Sequence, residues 1–365
     1  MRLALKLLLF APLALLVVGV NYAVDPGNAF GSEQRERRLA TRLLAGRDVP
    51  ASFALDELRL QRDLAEGRRE APEILVLGSS RAMMVGSAAF PGRAVVNASV
   101  SSASLEDAIA LFELYEEHGL RPRTLLLGID PWALNGSTRN PSSSLDPELQ
   151  AGLRRLGRAA PAAYGALPAL GGGRLARWLR LLSPSYFQAS LAVWLRGGRP
   201  ERGDPAREPA PARGASEDPA VLHPDGSRTW APRLDDTPVE AARAYAATQG
   251  ASGLSFLKIP PDPDRVALLG AFVDHVGTLG VRVVIWLAPY HPAAYANLVA
   301  GHRAAAVMEG ERAVRALAQP RHLVVLGSYD PAASGAREED IADHHHLRWR
   351  QGNALIARLW VAAGL

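Results

Sequence analysis

The stretch Ile74-Leu75-Val76-Leu77-Gly78-Ser79-Ser80-Arg81 constrains this chain most. Four apolar residues run straight into a Gly-Ser-Ser turn, which reads as a buried strand that stops at Ser80. The same grammar recurs at Ala94–Val96, Leu125–Ile129, Val281–Leu287 and His322–Leu326. Helices are expected between these runs. Ser104 caps one, with Asp107 in a capping box and Leu105, Ala108, Ile109, Phe112 and Tyr115 on its buried face. Asp264 opens another, with Val266, Leu269, Val273 and Val276 on one face; a third spans about 294–318 and a last one ends at Ala363. Strand–helix alternation of this kind predicts a doubly wound α/β fold with about five parallel strands. Val281–Leu287, apolar almost throughout, suits the middle of the sheet. Ligands of such sheets bind outside the carboxyl ends of the strands, where Ser80 stands.

The N-terminus reads differently. Arg2 and Lys6 precede the apolar run Leu7–Val20, and no small-x-small cleavage pattern follows it cleanly. Residues 1–24 are therefore expected to form an uncleaved, single-pass anchor in the inner (cytoplasmic) membrane, with the positive residues inside and the rest extracytoplasmic. Residues 25–70, dense in charge from Glu33 to Glu70, read as a solvated helical stalk or collar. The core occupies 71–132 and 257–365. Residues 133–256, rich in Pro, Gly, Arg and Ser, read as an insertion that forms a lid or shapes a substrate site. Hydrophobic residues make up 48% of 365, enough for one large core or two modest ones. The net charge of +4 comes from scattered basic residues without interleaved aromatics, which argues against nucleic-acid binding. The absence of cysteine excludes disulfides, thiolate catalysis and lipoprotein acylation. No G-x-G-x-x-G or Walker pattern follows the first strand, so a nucleotide cofactor is not expected.

A serine hydroxyl needs a base to become a nucleophile, and the base needs a third group to orient it. The best base in the sequence lies in Asp343-His344-His345-His346. Asp343 and His346 are spaced so that the carboxylate can reach back to one ring nitrogen while the other points at the sheet edge. Ser80, His346 and Asp343 are thus expected to meet. The backbone N–H groups of Ser80 and of a residue in the Ser101-Ser102 turn are the expected oxyanion donors. A metal held by His344 to His346 is disfavoured, because adjacent histidines point in different directions and no Glu-x-x-His helix supports them.

Four stretches together resemble the SGNH (GDSL-type) hydrolases. Gly78-Ser79-Ser80 is similar to their Gly-Asp-Ser block, and Val95 to Ser102 to their second block. Leu127-Gly128-Ile129-Asp130 falls where Gly-x-Asn-Asp is expected, and Asp343 to His346 matches the final Asp-x-x-His. The resemblance covers about Ile74–Leu365 apart from the insertion. It is closest to anchored, exported members that serve polysaccharide or teichoic-acid acylation. It implies a three-layer sandwich and a cofactor-free ester hydrolase or O-acyltransferase. The implied substrate is an acylated glycan or acyl donor, such as an acetylated envelope polysaccharide, handled with other envelope biosynthesis proteins. Two positions depart from the pattern: Ser102 replaces the glycine of the oxyanion hole, whose backbone N–H it can still supply, and Asp130 replaces an asparagine whose amide would donate to the oxyanion. Arg81 is expected either to turn Asp130 aside as an ion pair or to supply positive charge itself. The alternative that Asp130 favours is a catalytically weak binding or assembly component. Of the remaining candidates, His291 is expected to be a capped structural histidine more than a substrate contact, and Asp330 to cap a turn. Trp132 and Trp230 are expected to pack in the core or lid more than on sugars.

Overall fold

A computed structural model describes residues 15–24, 34–51, 55–135, 145–157, 220–252, 259–300 and 305–365, together with eight separate residues between 178 and 194. Among the described residues, eight strands lie in two sheets: β1 (Val49–Ala51), β2 (Ile74–Leu77), β3 (Val95–Asn97), β4 (Thr124–Gly128), β5 (Ala220–Leu222), β6 (Arg228–Thr229), β7 (Arg282–Leu287) and β8 (Val324–Gly327). The main sheet has the order β3-β2-β4-β7-β8, and every pairing in it is parallel. The chain is therefore an α/β protein built on a five-stranded parallel sheet, as the sequence pattern predicts.

Alternate residues of each strand point to opposite faces. Leu75, Leu77, Leu125, Leu127, Val283, Ile285 and Leu287 join one hydrophobic core with the helices Leu105–Glu117, Pro263–Thr278 and Ala305–Ala318. Ile74, Val76, Leu126, Val284, Trp286 and Leu326 join a second core with the C-terminal helix Trp349–Ala362. Burial on both faces explains why the strands read as unbroken apolar runs. The Ser104 capping box forms as expected. Asp262, not Asp264, caps the following helix. Where a helix is expected over 294–318, helices Pro292–Ala300 and Ala305–Ala318 form, and residues 301–304 lie outside the described residues.

The largest difference concerns residues 34–67. They form helices Gln34–Leu44 and Glu57–Gly67, and β1 between them pairs antiparallel with β5 from the 133–256 region. Leu43, Val49, Leu60, Leu64 and Leu222 close a small core there. The charge-rich stretch thus buries one face against the β5–β6 hairpin, where the charge pattern alone suggests a solvated run. Residues 1–14 of the expected anchor lie outside the described residues. Among the described residues, no helix is long and apolar enough to cross a membrane.

Candidate active site

In this strand order the connections diverge between β2 and β4, which puts the turn after β2 at the topological switch point, at the carboxyl end of the sheet. Gly78 makes the approach possible. A Cβ there would lie 2.9 Å from the Ala82 Cβ and 3.2 Å from the Gly128 Cα. Asn97, buried at the end of β3, latches the turn: its amide donates to the carbonyls of Ala82 (2.8 Å) and Val85 (2.7 Å). Val100 N–H donates to the Gly78 carbonyl at 3.0 Å, bringing the Ser101-Ser102 loop alongside Ser80.

The C-terminal loop comes to the same edge. Ile341 and Leu347 pair as an antiparallel bridge and Ala342 N–H donates to the His346 carbonyl, which closes residues 342–346 into a tight loop. Asp343 Oδ1 accepts the backbone N–H groups of His345 (2.8 Å) and His346 (2.7 Å). Asp343 Oδ2 lies 2.7 Å from His346 Nδ1, and His346 Nε2 lies 3.0 Å from Ser80 Oγ, across 266 residues of sequence. A carboxylate only accepts, so Nδ1 carries the ring proton and Nε2 is left to accept from the serine. The structure therefore brings the three expected side chains into one hydrogen-bonded chain. Among the described residues, no partner takes the backbone N–H of Ser80 or of Ser102.

Both carboxylate oxygens of Asp130 accept from neighbouring side chains. Ser79 Oγ donates to its Oδ2, and Arg81 pairs with its Oδ1 at 2.9 Å. Arg81 is the hub of the site. Its side chain is 1% exposed, and it also donates to the carbonyls of Ala288 and His345 (3.4 Å for the latter). Its guanidinium carbon sits 4.2 Å from the Tyr290 ring centre and 5.8 Å from that of Tyr329. One side chain thus ties the ends of β2, β4 and β7 to the loop that holds His346. Of the two roles open to Arg81, the ion pair is the one formed.

The remaining candidates have structural places. His291 is fully buried, and its Nδ1 accepts the Ala293 N–H at 3.1 Å, capping the helix that follows. Asp330 caps a short helix through the Ala332 N–H. Trp132 is buried. Trp230, just after β6, packs beside His346 with ring centres 5.1 Å apart, its indole N–H donating to the Leu347 carbonyl. Asp343, His344 and His345 each bring one ligand atom within 4.8 Å of the others. Both Asp343 oxygens are already committed to the His346 loop, however. An ion there would compete with the bonds that orient His346.

Burial alone would raise the Asp343 carboxyl. The His346 hydrogen bond and the nearby imidazoles outweigh it and hold the group well below the usual carboxylate range. Burial lowers His344 to about 4 and His345 well below its ordinary value, so both are neutral near pH 7. The folded-state value of His344 is below its unfolded one. Its contribution is therefore complete above about 6.5 and is lost as pH falls toward about 4. Thermal melts between pH 7 and pH 4 are expected to show falling stability, with a shallower fall in His344→Gln.

Ser102 has a left-handed backbone, φ 54°, which strains any residue but glycine. Ser102→Gly keeps the N–H. It is expected to raise stability by about 0.5–1 kcal/mol, strain relief less the added unfolded-state entropy. Chemical denaturation measures this.

No protein-family model matches this chain, and comparison with curated proteins finds no match either.

Proposed function

We propose that this protein is an SGNH-type serine ester hydrolase or O-acyltransferase, anchored at the inner membrane and acting outside the cytoplasm on acyl groups, such as acetyl, of an envelope or exported polysaccharide. The observation that carries the reading is the Ser80–His346–Asp343 chain at the carboxyl end of a parallel sheet. Ser80 Oγ attacks the acyl carbonyl while His346 Nε2 takes its proton. The Ser80 and Ser102 N–H groups face the developing oxyanion, and the imidazolium then protonates the departing alkoxide. Water or a sugar hydroxyl, deprotonated by His346, attacks the acyl-enzyme and releases Ser80. The polysaccharide and the membrane location rest on the four-block resemblance and on the apolar run Leu7–Val20. Turnover of p-nitrophenyl acetate and of acetylated polysaccharide, lost in Ser80→Ala, tests the reading. Equal turnover by Ser80→Ala would reject it.

Asp130 supports a second reading, a weak or inactive binding component of an envelope assembly. Both its oxygens accept from neighbours, so it adds no donor to the oxyanion site. A missing donor of this kind typically costs about 10²–10³ in rate.

A further inference from the structure

Glu57 lies in the segment whose charges read as a wet face, yet it reaches the site. It is the first residue of the helix Glu57–Gly67, and its side chain is only 17% exposed. Its Oε2 accepts the Ser101 backbone N–H at 2.5 Å, and its Oε1 accepts the Ser101 hydroxyl at 3.1 Å. Arg228, at the start of β6 and 12% exposed, holds Oε1 from the other side at 2.8 Å. Two successive N–H groups are thereby sorted: that of Ser101 is consumed, and that of the left-handed Ser102 stays unbonded among the described residues beside the Ser80 turn. The hairpin that carries Arg228 is itself fixed to the core. Asn97 N–H donates to the Asp225 carbonyl and Arg228 N–H to the Met83 carbonyl. Gly226, φ 81°, lies so close to Asn97 that a Cβ would come within 2.1 Å of its carbonyl oxygen.

We infer that Glu57 is a positioning residue for the oxyanion loop, pinning Ser101 so that the Ser102 N–H faces the ester carbonyl, with Arg228 fixing Glu57. This rests on the esterase reading. The Ser102 N–H that Glu57 positions is worth most when charge develops on the substrate oxygen, so loss of Glu57 falls on turnover and not on ground-state binding.

The test is ester hydrolysis by the full chain in detergent, with p-nitrophenyl acetate as the probe. Glu57→Ala is expected to lower kcat about tenfold or more with KM within about twofold. Glu57→Gln, whose amide oxygen still accepts the Ser101 N–H, is expected to stay within about threefold of wild type. Glu57→Asp keeps the charge but is one methylene short, and is expected to behave like alanine. The shape of the pH profile should not change in any of them, because the His346–Asp343 pair is untouched. Should Glu57→Ala fail to fold, the contrast between Gln and Asp decides. Wild-type kcat in Glu57→Asp, a loss confined to KM, or Gln falling as far as Asp would overturn the inference. If wild type shows no Ser80-dependent turnover, the esterase reading fails and takes this inference with it. If wild type turns over and the Glu57 variants match it, this inference alone fails.

Discussion

Replacing Arg81 with alanine is expected to lower the unfolding free energy by about 3–5 kcal/mol, the usual cost of removing one partner of a buried ion pair. The loss has identifiable parts. Asp130, 5% exposed, would be left with only the Ser79 hydroxyl as partner. The carbonyls of Ala288 and His345 would lose a donor, and the Tyr290 ring its cation. Because Arg81 also ties the His345 backbone to the sheet, Arg81→Ala should lose Ser80 reactivity even at temperatures where it stays folded. The same geometry predicts an outcome for Asp130→Asn opposite to what the SGNH-like pattern suggests. Restoring the asparagine leaves Arg81 buried without a counter-charge, so the variant should be less stable and no more active. The double variant Arg81→Met/Asp130→Leu removes both charges together and should recover much of the stability lost in Arg81→Ala, without recovering activity. Denaturant melts of the three variants measure this. Equal stability of Arg81→Ala and wild type would contradict the hub role.

The second large effect is expected at Asp343. In Asp343→Asn the amide can still meet His346 Nδ1, but as a donor it favours the wrong ring tautomer and leaves Nε2 protonated against Ser80. On the esterase reading, a loss of about 10⁴ in kcat is expected, the size seen in established serine triads, with KM little changed. Asp343 also accepts two backbone N–H groups. An asparagine side-chain oxygen can keep one or both of these, so the fold of the loop should survive. Steady-state ester hydrolysis beside a thermal melt separates the two consequences. A loss under tenfold in a folded variant would remove Asp343 from the relay.

The strands were legible in the sequence because the central ones are buried on both faces, so Ile74–Leu77 and Val283–Leu287 carry no polar interruption. Their ends shifted by a residue or two: Ile129 falls just past β4, and Val324 starts β8 two residues after His322. Ser80, Asp343 and His346 were legible for a different reason. A strand end fixes where a side chain is presented, and the Asp-x-x-His spacing lets a carboxylate reach the ring three residues on.

Glu57 and Arg228 were not legible. Their meeting depends on β1 pairing with β5 across about 170 residues, a long-range event with no local signature. The Leu60 and Leu64 spacing among the charges of 56–70 was the available sign that one face of that helix is buried. Trp230 beside His346 was equally hidden, since an aromatic after a two-residue strand looks like any lid residue. The backbone strain at Ser102 could be suspected only through the glycine of the resembling block.

The central claim is that Ser80 is an activated nucleophile. Incubating the purified full chain with a fluorophosphonate probe and mapping the adduct by peptide mass spectrometry tests it most directly. The account predicts one adduct, on Ser80, absent in Ser80→Ala and nearly absent in His346→Ala with the fold intact. Folded wild-type protein that takes up no label, or labelling undiminished in His346→Ala, would contradict it.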